Sequence, residues 1–266
     1  MPPILVTGAH GRLGAATLAA LRAKGRAAEG GSRTAGPGLR RTDFDDPASL
    51  QLGGVSTLVL VSAGYAEDDV VLARHAAAID AAVRDGVGHL VYTSLTGAGD
   101  HLAFALAHRA TERLVRASGI PWTILRNGLY AELFGSLLLR SGDALASPFG
   151  EGALAAVARA DLAEAAAVVA ADPARHAGRT YDLTGPPLTA AMIAERLGTT
   201  LRPLSLAAYR ARLLAAPDLL PFQPPMSASI ATAIRHGFLA EPTPDLAALL
   251  DRPPTDGTEA AARAVG

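Results

Sequence analysis

Residues Ile4-Leu5-Val6-Thr7-Gly8-Ala9-His10-Gly11-Arg12-Leu13-Gly14 decide the fold. A short apolar run reads as a buried strand ending at Thr7. Glycines follow at 8, 11 and 14. Arg12 to Lys24, with Leu13, Leu18 and Leu21 among alanines, has the pattern of a helix stopped by Gly25. Strand, glycine loop and helix in that order make a phosphate cradle. Gly8 permits the tight turn, Gly11 lets backbone approach a pyrophosphate, and Gly14 lets the helix pack close to the sheet. The helix then offers free N–H groups and the positive end of its dipole to the phosphates. Gly8, Gly11 and Gly14 are therefore the first candidate cofactor-binding residues, and Arg12, at the start of the helix, is a second possible phosphate contact.

Downstream, strands and helices alternate. Leu58 to Val61, Leu90 to Thr93, Trp122 to Leu125 and Thr180 to Leu183 read as strands, the first fully apolar as in a parallel sheet covered on both faces. Asp68 to Arg84 and Phe104 to Ser118 read as helices closed by Gly86 and Gly119, and Asp161 reads as the cap of a helix reaching Ala171. A second strand belongs near Arg26 to Gly31. Ala27-Ala28-Glu29-Gly30-Gly31 has poor strand propensity, so only topology places it there. The alternation predicts an α/β protein with a doubly wound parallel sheet, a Rossmann fold. The expected division is a dinucleotide-binding domain over 1–184, with substrate-side insertions near 127–160, a small and mostly helical subdomain over 185–252, and a tail over 253–266. The tail reads as a mobile segment or a short terminal helix.

Composition narrows the function. The 266 residues include no cysteine, which excludes disulfides, thiol nucleophiles and thiolate metal sites. A balance of 24 basic to 25 acidic residues argues against a nucleic-acid binder. No run approaches the ~18 apolar residues of a membrane helix, and no leader pattern opens the chain. The reading is a cytoplasmic protein, a monomer or homodimer, without a membrane or nucleic-acid partner. The seven histidines form no close pair, so no metal is expected.

The nucleotide is read at the end of the second strand. An acid there would hold the 2′-hydroxyl of NAD, whereas an arginine suits the 2′-phosphate of NADP. Arg33, in Ser32-Arg33-Thr34, has the charge and fork for a phosphate. A solvated loop arginine is the competing reading. NADP(H) is favoured over NAD(H). Asp43 and Phe44 follow the next turn and are candidates to flank the adenine, with plain packing the alternative for Phe44.

The Gly-x-x-Gly-x-x-Gly spacing resembles that of short-chain dehydrogenase/reductase proteins. Tyr92-Thr93-Ser94-Leu95, His108-x-x-Thr111-Glu112 and Leu125-Arg126-Asn127-Gly128-x-Tyr130-x-Glu132 are similar to the atypical, NmrA-like branch. Within it the chain looks most like NAD(P)H-dependent quinone oxidoreductases and triphenylmethane-dye reductases, over residues 1 to about 198. The resemblance implies that Leu13 joins Gly8, Gly11, Arg12 and Gly14 in holding the cofactor phosphates, with His10 in the same cofactor-binding loop, that Arg33 meets the adenosine end, and that Ser62 and Ala63 line the ribose and nicotinamide path. It also implies that Thr93 and Ser94 sit at the carboxyl edge of the sheet, and that Asn127, Gly128 and Tyr130 face the substrate. His10 departs from the small or hydroxyl residue common at its place.

Standard members of that superfamily use a Tyr-x-x-x-Lys pair as proton donor and activator. This chain has none: its only lysine is Lys24, in the first helix. Where the pair would sit, the third helix carries His108 and Glu112, four apart and so on one face. His108 is a candidate proton relay oriented by Glu112; an exposed surface pair is the alternative. With Ser94, Asn127 and Tyr130, His108 completes the candidate catalytic set. Reducing a ketone creates a basic alkoxide that needs a proton in the transition state. Reducing a quinone or a cationic dye gives a stabilised product, so positioning suffices. The expected function is an NADPH-dependent reductase of a quinone- or dye-like small molecule. A non-catalytic NAD(P) sensor is the alternative, and an epimerase or sugar reductase is disfavoured. Gly97 to Asp100 reads as a lid or a surface turn. Beyond 185, Thr189 is predicted to cap a helix over 190–197. Helices are also expected over 206–214 and 227–235, and the proline-rich stretch from Pro217 to Met226 is read as a pocket cap or a partner-contact surface.

Overall fold

The computed structural model describes residues 3–63 and 65–266. The chain begins β1 (Ile4–Val6), α1 (Arg12–Ala23), β2 (Ala28–Ser32), β3 (Leu39–Arg41), β4 (Thr57–Leu60), α2 (Asp68–Arg84), β5 (His89–Leu95), α3 (Ala105–Ala117) and β6 (Trp122–Asn127). It continues α4 (Ala131–Ser136), β7 (Leu139–Ser141), β8 (Ala144–Ser147), β9 (Ala153–Ala155), α5 (Arg159–Ala171), β10 (Arg179–Leu183) and β11 (Pro187–Thr189). The remaining elements are α6 (Ala190–Arg196), β12 (Thr200–Pro203), α7 (Leu206–Ala215), α8 (Gln223–Arg235), α9 (Asp245–Leu250) and α10 (Thr258–Arg263).

Seven strands form one parallel sheet in the order β10-β6-β5-β4-β1-β2-β3. Helices α1 and α5 pack together on one face and α2 and α3 on the other. The central strands are buried along their whole length, which explains their unbroken apolar runs. Strand order reverses at β1 and β4, the place where ligands bind in such sheets.

The weak second strand has a physical reason. A Cβ on Gly30 would stand 2.7 Å from Ala9 Cβ, and one on Gly31 would stand 2.5 Å from Thr42 Oγ1. The glycine at 30 lets Ala9 of the glycine loop lie against the strand, and the glycine at 31 admits Thr42 from the end of β3. Two other expectations are corrected. Helix α5 starts at Arg159 after Ala158, so Asp161 is not its cap. Asp161 is instead buried inside the first turn, where its carboxylate accepts from Arg252 Nη2 (2.8 Å) and from the Thr255 amide and hydroxyl (2.6 and 2.9 Å). Helix α8 starts at Gln223 rather than 227, with Pro224 and Pro225 in its first turn, where a missing N–H costs no helical bond. Thr189 does cap α6 and accepts from the Met192 amide.

The chain's end forms helix α10, pinned by the Asp161 contacts and seated on α4. Packing there is so close that a Cβ on Gly135 would stand 1.9 Å from Ala261 O. The 97–100 turn is tied down: Asp182 accepts from Thr96 Oγ1 and the Gly97 amide, and Asp100 pairs with Arg109. Among the described residues no helix is long and apolar enough to cross a membrane.

Candidate functional site

A trough crosses the carboxyl edge of the sheet in two continuous parts. The first, about 650 Å³, lies over the glycine loop. Every cofactor-binding residue predicted from the sequence lines it except Thr93, which lines the second part. Gly8 holds a left-handed φ of +65° that turns the chain, and its carbonyl accepts from the Gly11 amide at 2.8 Å. Helix α1 follows with no side-chain cap and no acid in its first turn. Its leading amides, which have no intrahelical partner, are left for an anion. Arg33 is exposed at the tip of β2. Glu29, the nearest acid within β2, is consumed by Arg40 at 2.9 Å. The tip of β2 therefore offers a cation, which suits a 2′-phosphate, while Asp43 and Asp45 line the same part of the trough from beyond β3.

The second part, about 1030 Å³, shares Ser62, Tyr65, Tyr130 and Arg159 with the first and is lined by all four residues read as catalytic. Ser94 Oγ donates to Glu112 Oε1 at 2.7 Å. Glu112 is 1 % exposed and its carboxylate also holds Arg109, Arg116 and Arg126. Burial alone would raise its carboxyl, but bonds from Arg126 and Ser94 overcome that and hold it at about 2. Glu112 does not orient His108, and the two do not form an exposed surface pair. Glu112 is not exposed, and it is bound by arginines rather than by the imidazole. His108 Nδ1 pairs with Tyr92 Oη at 3.0 Å instead, and Tyr92 is fully buried. Burial, reinforced by Arg109, lowers His108 to about 4, so it is neutral near pH 7. Helical spacing put the two residues on one face, but the arginines that claim Glu112 come from β6 as well as from α3.

Tyr130 precedes α4, and the Arg159 guanidinium lies 4.5 Å from its ring centre. Arg159 also pairs with Glu132 at 2.9 Å. Arg159 and Arg74, the latter bound to Asp45 at 2.7 Å, both line the trough, and no motif in the sequence announces either. Their partners lie 27 and 29 residues away in the chain, beyond any helical or strand period. From the proline-rich stretch, Met226 lines the second part and Phe222 meets Tyr65 edge-on at 6.1 Å.

Four buried side-chain polar atoms lack a hydrogen-bond partner among the described residues: Thr42 Oγ1, Ser62 Oγ, Asn127 Oδ1 and Glu132 Oε2. All four residues line the trough. Buried polar atoms are ordinarily paired, so this concentration marks the surface a ligand completes.

A parallel doubly wound sheet, a glycine cradle and an unpaired trough across the switch point define a dinucleotide-binding protein. The chain belongs to the NAD(P)H-binding family, whose model matches residues 8–173. It is 37 % identical over 153 residues to quinone oxidoreductase 2 of Escherichia coli, a match covering 55 % of this chain and 52 % of that protein. The chain thus spans about half the length of that relative. It is 31 % identical over 280 residues to a (4-alkanoyl-5-oxo-2,5-dihydrofuran-3-yl)methyl phosphate reductase of Streptomyces griseus, covering 94 % and 93 % of the two chains. Its fold matches the triphenylmethane reductase of Citrobacter sp. complexed with NADP(H), at TM-score 0.86 and 30 % identity over 98 % of this chain and 99 % of that one.

Proposed function

We propose that the protein is an NADPH-dependent reductase that passes hydride to a quinone or a similarly electron-poor small molecule. The observation that carries this is the trough itself. It joins a nucleotide cradle to an acceptor cavity that holds no lysine-assisted tyrosine, only a neutral histidine paired to a buried tyrosine. Bound NADPH supplies the hydride. The glycine loop and the α1 amides hold its phosphates and Arg33 its 2′-phosphate. The orphaned oxygens of Ser62 and Asn127 accept from its sugar or carboxamide, or from the acceptor. Ser94 gives its proton to Glu112 and so orients rather than donates. His108, neutral and with its Nδ1 on Tyr92, positions the acceptor, and the stabilised reduced product takes its proton from solvent water. An acceptor whose reduced form is stabilised needs no stronger acid, and the names of the relatives run the same way.

The test follows NADPH and NADH absorbance side by side over a panel of quinones and cationic dyes. Acceptor-dependent loss of NADPH is expected, with NADH slower. Tight NADPH binding without oxidation by any acceptor would instead establish the sensor reading. Arg33→Ala is expected to weaken NADPH binding about tenfold and NADH binding little, as for loss of one charge-assisted contact at an exposed site. Unchanged NADPH affinity in that variant would remove the phosphate assignment.

A further inference from the structure

Past the end of β4 the chain leaves the sheet, yet three consecutive amides remain bound, each by a side chain from a different element. The Val61 amide donates to Thr7 Oγ1 (2.9 Å), the Ser62 amide to Thr93 Oγ1 (3.0 Å) and the Ala63 amide to His75 Nε2 (2.9 Å). Threonines at the ends of β1 and β5 are unremarkable acceptors. A histidine 0 % exposed in the middle of α2 is not. We propose that His75 is a positioning residue for the cofactor: it fixes the 62–63 backbone that forms the floor of the trough between its nucleotide and acceptor halves.

The partners assign the proton. A backbone N–H can only donate, so Nε2 facing Ala63 is the bare nitrogen. Nδ1 lies 2.9 Å from Thr111 Oγ1, and that hydroxyl spends its own proton on Ala107 O at 2.8 Å. Nδ1 therefore carries the hydrogen and donates it to Thr111. The imidazole is a spacer of fixed tautomer between α3 and the loop, with Tyr92 edge-on at 5.5 Å. A charged ring would set Nε2–H against the Ala63 N–H. Burial, then the neighbouring His108 and Arg74, keep the ring neutral by lowering it to about 3. With these three amides consumed, the 61–63 backbone offers a ligand only carbonyl acceptors, beside the partnerless Ser62 hydroxyl, which can accept or donate. Acceptors suit ribose hydroxyls and a carboxamide NH₂.

The inference rests on the reading of this trough as the cofactor site, so its test uses binding and needs no acceptor. Calorimetry compares NADPH with adenosine 2′,5′-bisphosphate, which reaches only the adenosine end. His75→Leu keeps bulk without an acceptor, and His75→Asn is too short to reach Ala63 but retains a donor for Thr111. Both are expected to lose about tenfold in NADPH affinity and to bind the bisphosphate as the wild type does. His75→Gln, whose amide oxygen reaches the Nε2 position, should restore most of the NADPH affinity. Nitrogen-15 NMR of the wild type should show Nδ1–H with bare Nε2, an observation independent of how any variant folds. The proposal is overturned if His75→Asn binds NADPH as tightly as wild type, if both ligands weaken together, or if Nε2 is the protonated nitrogen. Failure of the wild type to bind NADPH at all would overturn the cofactor reading beneath it.

Discussion

Gly14→Ala is expected to remove NADPH binding, weakening it by more than about a hundredfold. A Cβ at this position would stand 2.3 Å from Gly8 O and 2.8 Å from Thr7 O. Both are backbone atoms, and neither can swing aside as a flexible side chain would. Relief requires that the Thr7–Gly8 segment or the first turn of α1 move. Thr7 Oγ1 also accepts the Val61 amide, so its movement would disturb the floor of the trough as well as the cradle. Overpacking of this kind costs about 1–3 kcal/mol in stability. The loss of affinity should be larger, because several amide contacts to the phosphates depend on one loop geometry. Calorimetric titration with NADPH, beside a thermal melt to confirm folding, reads both effects. A folded Gly14→Ala protein that binds within threefold of wild type would show that the cradle does not hold the pyrophosphate.

The sheet was legible in the sequence because a parallel strand covered on both faces needs an unbroken apolar run, as at 58–61 and 90–93, and because glycines close the intervening helices. Strand β2 breaks that rule, since Gly30 answers to Ala9 of the glycine loop and Gly31 to Thr42 rather than to strand propensity. The lining of the part over the glycine loop was legible for a related reason: its residues cluster within short, spaced motifs. The lining of the second part was legible only in part. His108, Ser94, Asn127 and Tyr130 do converge on the trough, but their partners were misread or unseen. Glu112 of α3 faces Arg126 on β6, His108 faces Tyr92 of β5, and Arg159 reaches back to Glu132. Pairings across the fold leave no period in the chain. Asp161 had the residue type and place of a cap. The true cap position is Ala158, and only the distant Arg252 and Thr255 explain a carboxylate buried there.

Lowering the pH from about 7 to about 5 is expected to unfold much of the protein or bring it close to unfolding. Burial keeps three imidazoles from accepting protons: His75 falls to about 3, and His89 and His108 to about 4, from an ordinary 6.5. At His89 the hydrogen-bond order leaves no room for a second proton on favourable terms. Its Nε2 meets Thr123 Oγ1 at 2.9 Å, and that hydroxyl donates to His176 O, so Nε2 already carries the hydrogen and Nδ1 is the bare nitrogen. In the unfolded chain all three rings protonate below about 6.5. The folded state binds fewer protons than the unfolded one, so stability is whole above 6.5 and is lost as the pH falls toward 4 and 3. Each ring contributes at most about 1.4 kcal/mol per pH unit. Three rings over about 1.5 units amount to roughly 6 kcal/mol, comparable to the whole stability of an ordinary domain. Glu112 acts in a separate, lower window. Its carboxyl, held at about 2 against an ordinary 4.5, gives stability that is whole above 4.5 and lost below it. Urea midpoints at about pH 7, 6 and 5 test the upper window, and His89→Gln, distant from the trough, should reduce the slope by about one third. A midpoint unchanged between about pH 7 and pH 5 would mean that these histidines are not held neutral.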